Sequence, residues 1–258
     1  MKKLNMLMVS LGLLSSSFAM AQTELRFGVE AEYPPFESKN AQGQLEGFDI
    51  DLGHAICKAG NFKCSWVETS FDSLIPALKA KKFDAINSAM NITEKRKEAI
   101  DFTTPIYRIP TQLLGKPEAG LAPTAEALKG KTIGVLQGSI QEIYAKEHWE
   151  KQGVTVTSYK DQNLAYDDLA AGRLDGTLVM AAAGQTGFLD RPEGKGFAFI
   201  GQPVDDTTIL GSGIGFGLRK DDAKLKEALD NAIKQVKEDG TVEKLAKQYF
   251  SGFDVRVE

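Results

Sequence analysis

Two stretches of the chain, residues 78–86 (LKAKKFDAI) and residues 169–177 (LAAGRLDGT), repeat one pattern. Each reads as a helix end, a short turn and the start of a strand. An aspartate, Asp84 or Asp175, stands at the same place in both. The match is short, but it points to two similar α/β lobes that send strand ends toward a shared crevice. Ligands of open α/β sheets bind at such C-terminal strand edges.

The neighbouring sequence extends both copies. Residues 25–29 alternate and carry strand formers, and the EAEYPPF segment at 30–36 is a loop, because two prolines forbid regular structure. From 48 to 59, Phe48, Leu52, Ala55, Ile56 and Ala59 recur at helical spacing, and Gly60 is placed to end that helix. A second helix is expected over 71–82, with Leu74, Ile75 and Leu78 on one face. A short buried strand follows over 83–88, then a helix capped by Thr93 and running through Ile100.

The second half restarts the pattern. Strands are expected at 131–136, 154–159 and 173–179. The turn Gln137-Gly138-Ser139 opens a helix through Lys151, and another helix covers 163–172. This alternation predicts an α/β architecture with mostly parallel strands. GSGIGFGL at 211–218 lacks the glycine spacing of a dinucleotide loop and the Lys-Ser/Thr of a phosphate loop. It reads as a strand crossing between lobes, where glycines permit bending. Residues 221–250 are helical with a break near Gly240, and Leu225, Leu229, Ile233 and Val236 face inward.

Residues 1–21 read as a secretory signal. Lys2 and Lys3 are followed by an apolar and small-residue core and by Ala19-Met20-Ala21, an A-x-A cleavage site. The apolar run is too short to span a bilayer. The formal charge is −4, and loss of the leader makes it more negative, which argues against nucleic acid as a partner. Cys57 and Cys64 are the only cysteines. In an oxidising compartment they read as one local disulfide, the alternative being two buried thiols. No metal and no cofactor is expected, since His54 and His148 are the only histidines.

Arg96 is the sharpest residue. It lies in the first turn of the helix capped by Thr93, where the helix dipole opposes a cation. A bound carboxylate would offset that cost. The plainer reading is a solvated arginine in the charged run 94–98. Gln137 to Ile140 is the matching feature of the second lobe, a turn presenting unpaired N–H groups or simply a strand-to-helix connection. Tyr33 and Phe71 either sandwich a ligand or pack in the core. Glu30 either pairs with a cation or lies at the surface. No Ser–His–Asp order, metal spacing or nucleophile elbow appears.

The segments EAEYPPFES, GFDIDLGHAICK, DSLIPALKAKKFDAI, NITEKRKEAIDFTTPIY, LKGKTIGVLQGS, FGLRKDD and DGTVEKLAKQYF together resemble the periplasmic polar-amino-acid-binding proteins. The similarity is greatest to the histidine, lysine/arginine/ornithine and arginine binders, and it covers nearly the whole mature chain. The resemblance implies a two-lobed periplasmic-binding-protein fold, with lobe 1 formed by 22–109 and 212–258 and lobe 2 by 110–211. Two hinge strands, near 109–112 and 211–215, would close the lobes on a ligand in the cleft. It implies that Arg96 holds a ligand α-carboxylate with help from Ser88 and the backbone at Ser139 and Ile140. Tyr33 and Phe71 would flank the ligand side chain, Leu136 would line the pocket, and Ala89, Asn91 and Glu30 would complete it. It also pairs Cys57 with Cys64.

The departures carry information. Glu30 stands where histidine and lysine/arginine/ornithine binders have Asp, as in arginine-binding relatives. Asn91 replaces a small polar residue and Ile140 a threonine. Met180 takes the place of the aspartate that holds the ligand ammonium, and LVMAAA at 178–183 offers no carboxylate. Opine-binding members also lack that aspartate.

The expected function is therefore delivery of an arginine-, ornithine-, lysine- or histidine-type amino acid by a monomeric periplasmic protein to an inner-membrane ABC permease. An N-substituted amino acid, such as an opine or acylated arginine, is the alternative ligand. A secreted cyclohexadienyl dehydratase-like enzyme is the alternative of another class, and a sensory binding protein docking on a receptor is a third.

Overall fold

The computed structural model describes residues 22–250 and 252–257; the signal sequence expected at 1–21 lies outside them. In chain order the strands are β1 (Thr23–Val29), β2 (Ser38–Lys39), β3 (Leu45–Glu46), β4 (Phe62–Glu68), β5 (Ala85–Ile86), β6 (Asp101–Phe102), β7 (Thr111–Gly115), β8 (Thr132–Leu136), β9 (Thr155–Tyr159), β10 (Gly176–Met180), β11 (Ala198–Val204) and β12 (Gly217–Leu218). The helices are α1 (Phe48–Ala59), α2 (Leu74–Lys79), α3 (Glu94–Lys97), α4 (Ala125–Leu128), α5 (Ile140–His148), α6 (Gln162–Ala170), α7 (Ala181–Gly184), α8 (Thr207–Leu210), α9 (Ala223–Glu238) and α10 (Thr241–Tyr249).

The strands form two five-stranded sheets, ordered β4-β1-β5-β12-β6 and β11-β7-β10-β8-β9, with a separate β2-β3 pair. The chain passes from the first sheet to the second between β6 and β7 and returns between β11 and β12. The two connections touch where Tyr107 and Ile214 form an antiparallel bridge. Each sheet has a parallel heart, β4-β1-β5 and β10-β8-β9. The strands next to the crossings, β7, β11 and β12, run antiparallel to their neighbours. The mostly parallel expectation therefore holds at the heart of each sheet only, because a strand that enters from the other sheet needs no crossover helix.

α1 forms over the expected residues, with Phe48, Leu52 and Ile56 fully buried and Gly60 as its C-cap. Its apolar face packs on the C-terminal helices α9 and α10. Cys57, near the end of α1, is joined to Cys64 on β4, with Cα atoms 6.2 Å apart.

Several elements are shorter than the apolar pattern predicts. The helix expected over 71–82 begins as a 3-10 turn at Phe71–Ser73 and ends at Lys79. Lys81, in the left-handed region at φ 59°, cannot continue it. The strand expected over 83–88 pairs only at Ala85–Ile86, and the helix expected to reach Ile100 stops at Lys97. The helix expected through Lys151 ends at His148 and gives way to a 3-10 turn at Glu150–Gln152. In the glycine-rich crossing only Gly217–Leu218 joins the sheet.

Candidate functional site

The guanidinium of Arg96 is withdrawn from water, with the residue 7% exposed. It donates to the Asn91 carbonyl at 2.9 Å and to the Gly138 carbonyl, on the opposite sheet's side of the cleft, at 3.1 Å. It also lies 5.5 Å over the Phe71 ring. It makes no ion pair among the described residues, and burial lowers its pKa to about 10. The helix dipole contributes little, because α3 is a single turn of four residues. Burial, not the dipole, leaves this cation in need of an anion. Thr93 caps the turn as expected, its Oγ1 accepting the Arg96 N–H at 3.2 Å.

The second sheet meets Arg96 with the start of α5. Gly138 has φ +78°, and a Cβ there would stand 2.9 Å from the Asp72 Cα, so only glycine allows the close approach. Gln137 donates to Asp72 at 3.1 Å and ties the same two surfaces. Part of the turn is satisfied internally: Ser139 Oγ accepts from the Glu142 N–H, and Glu142 accepts from the Gly138 N–H. The Ser139 N–H bonds the Leu136 carbonyl. The N–H groups of Ile140 and Gln141 find no acceptor among the described residues, so the turn presents two donors there rather than four.

A second group of expected residues gathers beside this one. Glu30, at the end of β1, is 3% exposed, and its Oε2 has no hydrogen-bond partner among the described residues. Desolvation raises its pKa to about 8, and the nearby charges of Glu32 and Asp161 add to the effect. Ser88 accepts the Glu30 backbone N–H at 3.0 Å. Burial raises the pKa of the Tyr33 phenol, and a hydrogen bond with the Met180 backbone opposes that rise. Residues 88–91 join the two groups. Within them Ala89 adopts φ 43°, a conformation alanine rarely takes, and its N–H is held by Asp49 at 2.6 Å.

Glu30, Tyr33, Phe71, Ser88, Ala89, Asn91, Arg96, Leu136, Ser139, Ile140 and Met180 are thus all buried. Leu136 and Met180 end the parallel strands β8 and β10. Beyond Met180, Ala181, Ala182 and Ala183 are also buried, and this wall is apolar.

Sequence reasoning missed Glu37, Asp49 and Tyr107. The Tyr107 hydroxyl donates to Asp49 at 2.7 Å, and the Ser88 hydroxyl donates to Glu37 at 2.7 Å. Glu37 ends the EYPPFE run and Asp49 interrupts the apolar face of α1. Nothing in the periodicity separates either from a surface carboxylate.

A cavity of about 670 Å³ lies beside the cluster. It is walled by the two crossings, α8 and the C-terminal tail, and shares only Asn91 and Ile140 with the residues above. Its charged groups, Arg108, Asp205 and Asp254, are exposed, whereas those of the cluster are dehydrated and require a partner.

The family of bacterial extracellular solute-binding proteins, family 3, matches residues 25–252. The chain is 48% identical over 244 residues to the lysine/arginine/ornithine-binding periplasmic protein of Escherichia coli K12, covering 95% of this chain and 94% of that one. It is 42% identical over 256 residues to the L-arginine-binding protein of Pseudomonas aeruginosa, covering 99% and 98%. A Salmonella typhimurium periplasmic binding protein, solved to explain its high arginine specificity, matches with a TM-score of 0.82 at 31% identity, over 89% of this chain and 100% of that one. Two sheets joined by two crossings, with buried charges between them, agree with that kinship: the chain belongs to family 3 of the bacterial extracellular solute-binding proteins.

Proposed function

We propose that this protein is the periplasmic substrate-binding component of an ABC importer for a cationic or polar amino acid of the arginine, ornithine, lysine or histidine type. The observation that carries the proposal is Arg96, a buried guanidinium with no carboxylate partner among the described residues. A ligand α-carboxylate supplies that partner, replacing the contact with the Gly138 carbonyl and taking the free N–H groups of Ile140 and Gln141. The ligand side chain runs between Tyr33 and Phe71 toward Glu30, whose unpartnered oxygen receives a cation. Lobe 1 (22–109 and 212–258) and lobe 2 (110–211) close on it about the crossings. The curated relatives are named as binding proteins, which supports reading this site as one that binds.

A second reading of the ligand has an observation of its own. The wall formed by Met180 and Ala181 to Ala183 is buried and apolar, so it leaves a free α-ammonium unneutralised and suits a substituted amine. Titration calorimetry with arginine, ornithine, lysine, histidine and their N-acyl derivatives, on wild type and Met180→Asp, tests both. For a plain amino acid, Met180→Asp strengthens binding by about tenfold through the added charge partner. For an N-acyl ligand it weakens binding by at least as much. No change in either affinity takes Met180 out of the site, and no binding of any of these compounds refutes the ligand class.

A further inference from the structure

Glu37 is 1% exposed and belongs to none of the groups assigned to the ligand above. Its Oε1 accepts the Ser88 hydroxyl proton at 2.7 Å, and the same Ser88 oxygen accepts the Glu30 backbone N–H at 3.0 Å. A serine hydroxyl has one proton and two lone pairs. With the proton and one lone pair committed, Ser88 has a single lone pair left for a ligand, so it has no proton to give the ligand carboxylate that the resemblance assigned it to help hold.

What keeps Glu37 an acceptor toward Ser88 lies behind it. Its second oxygen, Oε2, finds no donor among the described residues, and the Asp49 carboxylate is near enough to act on Glu37. Asp49 already accepts two donors, the Tyr107 hydroxyl at 2.7 Å and the Ala89 N–H at 2.6 Å. Two buried carboxylates in contact hold one proton between them, and the better-solvated anion is Asp49. With the shared proton on the Glu37 oxygen that Ser88 does not use, Oε1 stays an acceptor for the Ser88 hydroxyl.

We infer that Glu37 is a positioning residue for specificity: by fixing the Ser88 proton away from the pocket, it makes Ser88 and ionised Glu30 a wall of acceptors only. Such a wall favours a ligand end that only donates, a guanidinium or ammonium, over a neutral isostere bearing an oxygen. The inference rests on the ligand class proposed above.

The test compares arginine with citrulline, whose ureido oxygen replaces one guanidinium nitrogen. Affinities are measured by calorimetry at pH 9, where Glu30 is ionised in the empty protein as well. Wild type favours arginine by roughly a hundredfold or more, because buried polar groups reject a mismatched isostere strongly. Glu37→Gln keeps that ratio within about twofold, since its amide oxygen accepts from Ser88 and its NH2 donates to Asp49. Glu37→Leu frees the Ser88 proton to turn into the pocket and lowers the ratio by about tenfold. An unchanged ratio in folded Glu37→Leu, or an equal fall in Glu37→Gln, overturns the inference. If Glu37→Leu does not fold, Ser88→Ala takes its place, and a ratio unchanged there overturns it equally. A wild type that binds arginine but does not prefer it over citrulline overturns the inference alone. A wild type that binds neither, nor any other basic amino acid, overturns the ligand class and the inference together.

Discussion

The corners at Asp84 and Asp175 are built alike, and the strands that leave them are not. Asp84 Oδ2 accepts the Arg26 backbone N–H at 3.0 Å, and its own N–H donates to the Arg26 carbonyl at 2.8 Å. Asp175 does the same with Thr132, at 2.8 and 2.9 Å. Each carboxylate also meets a basic side chain, Arg26 in one sheet and Lys131 in the other. Past the corner, β5 pairs over two residues and releases the chain into the buried polar run Asn87-Ser88. β10 pairs over five residues, all buried, and ends on Met180. The shared corner joins a helix to a central strand in both sheets. The proposed ligand site draws its ionisable groups, Glu30 and Arg96, from the first side and its backbone donors and apolar wall, Ile140, Gln141 and Met180, from the second.

The largest effect expected from this asymmetry comes from Arg96. Arg96→Ala should weaken binding of a carboxylate ligand by about 3–5 kcal/mol, since it strands a buried carboxylate. Arg96→Lys should recover only part of this, because an ammonium cannot form the two-pronged contact. Calorimetry decides, and an alanine variant with native affinity would mean that the first sheet does not hold the carboxylate.

A smaller effect comes from Glu30, and its sign follows from burial. The empty site holds the Glu30 proton up to a pKa of about 8. A cation in contact favours the ionised form, so binding expels the proton below that pH. Affinity for a cationic ligand should therefore climb between pH 6 and pH 8, by up to about tenfold per unit, and level off above. Calorimetry in phosphate and Tris at pH 7 should show a buffer-dependent heat from the released proton. A flat profile would place the ligand cation elsewhere. The groups facing Glu30 are Glu32, Asp161, Tyr33, Glu37 and Ser88.

The smallest effect concerns the shared corner. Asp84→Ala and Asp175→Ala should each cost about 1–3 kcal/mol of stability, because each leaves a strand N–H unpaired. Asp84→Ala should cost more, since Arg26 and Arg219 both approach that carboxylate, at 3.0 and 3.7 Å. Denaturant unfolding of the two variants measures this. A much costlier Asp175→Ala would show that the corners are alike in geometry only.

Local sequence determined the elements whose signals are local. The period of Phe48, Leu52 and Ile56 and the stop at Gly60 specify α1, because a helix buries one stripe and ends where glycine relieves the last turn. Thr93 specifies its cap, and the repeated Asp84 and Asp175 mark both corners. The resemblance of whole segments added the family and the pairing of Cys57 with Cys64, neither of which periodicity supplies. Tertiary structure decided the rest. Whether Arg96 is solvated or dehydrated depends on Phe71 and on Gly138, 42 residues away in sequence. Whether Glu37 is a surface acid or a buried proton holder depends on Asp49, Ser88 and Tyr107, which the fold alone brings together. A side chain's charge state is set by the water it loses and the partners it gains, and neither is written in the residues next to it in the chain.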